Sequence, residues 1–268
     1  MTRRAALIPL LVTLACACAS LATAGPAARP TSASHPGFDT GKYPGEKTLA
    51  AWKDAAPYEW VGYYLMAPCH RDPSWVGRRS ELARAGWGVA VLYVGQQAFE
   101  NDTTPPDPNA PILCSRTLLT ADRGKADAED ARLKADNDGF PRGSVVFLDV
   151  EKMARVPAEM VTYYNAWMDE MLRDGHYLPG TYVHRDNASE LYALARAAYL
   201  RAGRTETPPF WIASTGAFSL DERPFASGFP FATVWQGAHD VDRSWGGETL
   251  RIDENVATSR SPSEPQLP

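Results

Sequence analysis

With 268 residues, 44% of them hydrophobic and 22% charged, the chain has ordinary globular composition and room for one large domain or two small ones. Its formal net charge of −5, without a basic run in the body of the chain, argues against a nucleic-acid partner. No Gly-x-Ser-x-Gly elbow, Walker loop or His-Glu-x-x-His occurs, which removes the common nucleophile, nucleotide and zinc-protease chemistries.

Residues 1–24 read as a signal peptide. "MTRR" supplies positive charge, "AALIPLLVTLACACASLA" an apolar core, and "ATA" small residues for cleavage after Ala24. Pro9 and the polar sequence that follows argue against an anchor, so no stable membrane span is expected after cleavage. Lipid attachment at Cys16 or Cys18 is the alternative, although both lack the usual leucine three residues upstream. Residues 25–35 read as a linker, and 257–268, ending "TSRSPSEPQLP", as a disordered tail. That leaves 36–256 as the folded domain, secreted or associated with the cell wall, and expected to be a monomer.

Within it, short apolar runs alternate with amphipathic segments. Strands are predicted at "GFDT", "WVGYYLM", "WGVAVLYVG", "GSVVFLDVE", "YLPGTYVH", "PFWIAST", "FATVWQG" and "TLRIDEN". Helices are predicted at "TLAAWKDA", "SWVGRRSELARAG", "TADRGKADAEDARLKADN" (capped by Thr120), "PAEMVTYYNAWMDEMLRDG" and "ASELYALARAAYLRAG". Alternation of this kind gives an α/β fold with a parallel sheet. Five βα units followed by three strands with poor helices suggest an irregular eight-stranded TIM-like (β/α) barrel whose late helices are reduced. A doubly wound open sheet fits less well, because "GFDTGKYPG" lacks the spacing of a phosphate turn.

Barrel sites lie where strands end. Side chains alternate along "VVFLDVE", so Asp149 and Glu151 share a face with Val145 and Phe147, inside the barrel, with Cα atoms roughly 6–7 Å apart. Two carboxylates in one partly dry pocket do not both ionise cheaply; one pKa rises, which makes a general acid. Glycoside hydrolysis needs such a pair. A strand-end Asp-x-Glu also serves as a helix cap or surface ion-pair partner. Asp39 and Asp253, on strands 1 and 8 of a closed barrel, add weight to the chemical reading.

"GFDT", "VVFLDVE" and "VWQG…GGETLRIDEN" resemble the family 25 glycoside hydrolases, lysozymes with an irregular β/α barrel. "AAWKDAAPYEWVGYYLMAP", "GWGVAVLYVGQQA" and "GFPRGSVVFLDVE" are more similar to a related actinobacterial secreted group, a glycoside-hydrolase-like domain of unknown function. The resemblance spans about residues 36–256 and implies roles. Glu151 would be the general acid, Asp149 would orient the substrate's N-acetyl group or a water, and Asp39 and Asp253 would hold the sugar and tune the pair. The implied substrate is the glycosidic bond of cell-wall peptidoglycan. A non-catalytic barrel that binds wall glycan without turnover is the alternative.

Tyr182 and Trp235 are expected to border the pocket as substrate-binding residues, with His184 as a second-shell partner or a plain structural histidine. Tyr63 and Tyr93 stand as lumen liners or as barrel filling. Four carboxylates could hold a hard cation, but metallo-phosphodiesterase barrels add histidines to the cluster, so neither metal nor cofactor is expected. Cys69 follows strand 2 and Cys114 lies in the loop after strand 3. Neighbouring parallel strands put both loops on one barrel face, so a Cys69–Cys114 disulfide is expected in an oxidising compartment. The long Pro-rich loop after strand 3 is expected to overhang the cleft.

Overall fold

A computed structural model describes residues 34–99 and 114–265. The signal peptide, with Cys16 and Cys18, most of the linker, the middle of the loop after strand 3 and the last three residues lie outside the described residues. The elements run β1 (His35–Asp39), α1 (Glu46–Ala55), β2 (Trp60–Tyr64), α2 (Arg79–Arg84), β3 (Gly88–Val94), α3 (Ala121–Asn137), β4 (Val145–Val150), α4 (Ala158–Asp174), β5 (Leu178–His184), α5 (Arg185–Arg201), β6 (Phe210–Ala213), β7 (Val234–Trp245) and β8 (Glu248–Ala257). The eight strands close into a barrel in chain order. The Thr120 side chain accepts the Arg123 N–H to start α3, and Gly175, at φ 70°, ends α4 in the left-handed conformation. After β6 only a short 3-10 turn, Pro224–Ser227, replaces a helix.

The sheet is not wholly parallel, which corrects the sequence expectation. β8 runs antiparallel to both β7 and β1. The reason is a two-residue turn, Gly246 and Gly247, with φ of 57° and 80°. Two consecutive positive φ values are the geometry of a tight hairpin, and glycine reaches them without a steric penalty. Asp253 therefore sits inside a strand, paired with Asp39 across β1 and β8, and not at a strand end.

Alternation sorts the side chains into two layers. Trp60, Ala90, Leu92, Val145, Phe147, Trp211, Val234 and Ala257 fill the lumen. Trp211 meets Trp60 and Phe147 edge to face, with ring centroids 5.5 and 5.7 Å away. Gly37 leaves the space that Trp60 takes: a Cβ there would lie 2.1 Å from the indole. Val146, Leu148 and Val150 face the helices, as expected for β4. Tyr63 and Tyr93 also face out, their hydroxyls donated to Asp138 and Asp130, so they do not line the lumen.

Residues 258–265 differ from the frayed tail expected. Ser263 is fully buried and inserts between the N-terminal ends of β3 and β4: its N–H donates to the Val89 carbonyl at 2.9 Å, and its carbonyl accepts the Val145 N–H at 2.7 Å. Its hydroxyl accepts the Val91 N–H at 2.7 Å. These bonds satisfy backbone groups that the diverging strands leave open.

Candidate active site

β4 delivers Asp149 and Glu151 to the C-terminal mouth. Asp149 is 6% exposed, and its Oδ1 has no hydrogen-bond partner among the described residues. Burial first, then the charges of Glu151 and Asp39, hold its pKa well above the ordinary carboxylate range. Glu151 lies one residue past β4 with its side chain open to solvent. Burial of its inner side raises its pKa, while the Lys152 N–H and the His239 charge pull it back.

Gln97, after β3, fixes the backbone of this pair. Its Nε2 donates to the Asp149 carbonyl at 2.8 Å, and its Oε1 accepts the Glu151 N–H at 3.0 Å. One buried amide thus holds both ends of the Asp-Val-Glu step. The adjacent Gln96 accepts the Ser115 N–H at 2.9 Å, tying the same loop to the residue after Cys114. The Cys69–Cys114 disulfide forms as expected, with a Cα separation of 4.9 Å.

Asp39 and Asp253 enter from β1 and β8. Asp39 Oδ1 accepts the Tyr64 hydroxyl at 2.6 Å, and its Oδ2 accepts Asn255 Nδ2 at 2.8 Å and Gln236 Nε2 at 3.3 Å. Burial and the Asp253 charge still push the Asp39 pKa up to about 7, against those bonds. Asp253 Oδ2 accepts Gln236 Nε2 at 2.6 Å, and burial raises its pKa too. Tyr182 pairs with Asp149 across β4 and β5 and donates its hydroxyl to Gln236 Oε1 at 2.5 Å. Its ionisation is suppressed by burial and by the charges of all four acids, which places it among them.

The mouth therefore brings together Asp39, Asp149, Glu151, Asp253 and Tyr182. Trp235 is the exception. It is buried with its indole N–H donated to the Ser214 carbonyl at 2.8 Å and its ring against Phe218, and the pleat turns it away from Gln236 and the acids. His184 caps α5 by accepting the Asp186 N–H at 3.2 Å. Sequence reasoning missed Gln97, Tyr64 and Asn255 as site residues and gave Trp235 the place of Gln236. Alternation held the signal for three of these: Tyr64 lies two residues after Gly62 on the Asp39 side, Asn255 two after Asp253, and Gln236 two after the lumen residue Val234. Among the described residues, no group of three or more His, Cys, Asp or Glu side chains is arranged to hold a metal ion.

A family model described as the Rv2525c-like, glycoside hydrolase-like domain matches residues 50–257. The chain belongs to this family. The matched stretch of this Rv2525c-like chain contains Asp149, Glu151, Tyr182 and Asp253 and begins after Asp39. Its fold is similar to an uncharacterized B. stearothermophilus protein, at 17% identity and a TM-score of 0.56, covering 83% of this chain and 95% of that one. It is also similar to the Tat-secreted Mycobacterium tuberculosis protein Rv2525c in complex with L-tartrate, at 15% identity and a TM-score of 0.51, covering 84% and 95%. The modular autolysin LytC of Streptococcus pneumoniae matches at 16% identity and a TM-score of 0.51, over 83% of this chain and 46% of that longer one. At these identities the likeness is one of fold. No curated protein matches by sequence.

Proposed function

We propose that this Rv2525c-like protein is an exported hydrolase of cell-wall peptidoglycan, with residues 1–24 as its leader. The observation that carries the reading is four carboxyl groups converging at one barrel mouth with their pKa values raised. Glu151, at the open edge, holds a proton above the ordinary glutamate range and gives it to the glycosidic oxygen as the bond to the ring carbon breaks. Asp149, deeper and with an unpartnered oxygen, takes the substrate's N-acetyl group or the attacking water. Asp39 and Asp253, braced by Gln236, hold the sugar, and Asp253, while ionised, supplies negative potential where the ring carbon becomes cationic. The disulfide fits an oxidising compartment, and the similarity to a pneumococcal autolysin fits a wall substrate.

The test is reducing-end release from a panel of purified wall polysaccharides, run beside sedimentation binding. Release from peptidoglycan is the expected result. Binding without release by the wild-type protein would replace this reading with a non-catalytic glycan-binding barrel.

A further inference from the structure

β7 is irregular where it passes the mouth. From Gln236 to Val241 it takes five steps while its partner β8 takes three, from Asn255 to Ile252, so β7 carries two extra residues there. Asp240, at φ 52°, is the sole non-glycine residue with positive φ among the described residues. Such a conformation is uncommon outside glycine and persists when its surroundings over-determine it. Here the surroundings are visible. The Asp240 N–H donates to Asp253 Oδ1 at 2.6 Å, and its carboxylate pairs with Arg251 at 3.0 Å.

The consequence falls on His239. Gln236 faces the acids, so an unbroken pleat would send residue 239 outward, as it sends Trp235. The bulge reverses that direction. His239 Nδ1 lies 3.7 Å from Asp253 Oδ2, with its ring partly open to solvent. Bulges beside active sites commonly re-aim a side chain in this way.

We infer that the β7 bulge seats His239 as a positioning residue, its charge set between Asp253 and the acid Glu151. This rests on the assignment of Glu151 as the acid. His239 contacts Asp253 on β8, and its charge also reaches Glu151 beyond β4 and His184 at the end of β5, with Asp240 beside it held by Arg251. When it carries a proton, the imidazole favours the ionised forms of Glu151 and Asp253, against the pKa rise that burial gives them. It thereby sets how far up the pH scale Glu151 keeps its proton.

The test is carbon NMR of the full chain labelled with 13C at the glutamate carboxyls, following Glu151 against pH. In His239→Gln, which keeps a polar side chain and removes the charge, the Glu151 midpoint should rise by about 0.5–1 pH unit. In His239→Lys, which restores a cation, it should return toward the wild-type value. The alkaline limb of peptidoglycan release should move up with the midpoint in His239→Gln. An unchanged midpoint in His239→Gln overturns the inference, and so does a rise that His239→Lys fails to reverse, because that marks a structural effect. A wild-type protein without turnover removes the acid assignment, yet the titration still decides whether His239 acts on Glu151.

Discussion

Asp149 shows what a buried carboxyl does to a fold. Its pKa is held well above the ordinary range, and Asp39 moves from 3.8 to about 7, so the folded chain keeps protons that the unfolded chain releases. The stability this confers is whole below the unfolded pKa and disappears as pH rises through the folded one. For Asp39 that window runs from about pH 4 to about pH 7, and Asp149 adds a loss of the same sign. Thermal melts should therefore show a melting temperature that falls from about pH 4 to about pH 7. Asp149→Asn, which cannot ionise, should flatten the slope and raise the melting temperature at the alkaline end by a few degrees. A flat wild-type profile would contradict the burial argument. The motif itself was readable from sequence, because two carboxylates ending an apolar strand are conspicuous. Gln97 was not readable, since its role is to bond a backbone that only the closed barrel brings near.

At the scale of elements, small residues and loop closures set the stability. Gly37 faces Trp60 so closely that Gly37→Ala must displace the indole, which fills the lumen and donates its N–H to the His35 carbonyl. Overpacking of this kind should cost about 1–3 kcal/mol in urea unfolding. The disulfide spans a sequence separation of 45, and chain-entropy reasoning assigns such a loop about 4 kcal/mol. Cys69→Ala together with Cys114→Ala should lower unfolding stability by up to that amount; an unchanged urea midpoint would refute the loop-closure account. The strands and helices were legible from their periods of two and 3.6 residues. The direction of β8 was legible too, since Gly246-Gly247 between alternating segments is a hairpin signal. It was overridden by the five βα units before it, whose rhythm suggested a parallel finish. The bulge at His239 and Asp240 has no such signature, because it is specified by the Asp253 and Arg251 side chains across the hairpin.

At the scale of the molecule, closure explains the rest. β8 pairs with both β7 and β1, which sets Asp39 opposite Asp253 and lets Gln236 reach both. Sequence separation hides these contacts, and topology creates them. At the other end of the barrel, Ser263 bridges the N-terminal ends of β3 and β4, a role the Ser- and Pro-rich composition around it conceals. Ending the chain after Ala257 should strip those bonds from β3 and β4 and lower the melting temperature, while leaving the mouth at the opposite ends of the strands intact. Among the described residues, no helix is long and apolar enough to cross a membrane. The central claim is that the mouth breaks a glycosidic bond with the Glu151 proton. Its most direct test compares initial rates of reducing-end release from purified peptidoglycan by wild-type and Glu151→Gln protein at mildly acidic pH. The account predicts steady release by the wild type and a loss of roughly 10²–10⁴-fold in the variant, with the melting curve preserved. Release by Glu151→Gln at the wild-type rate would contradict it.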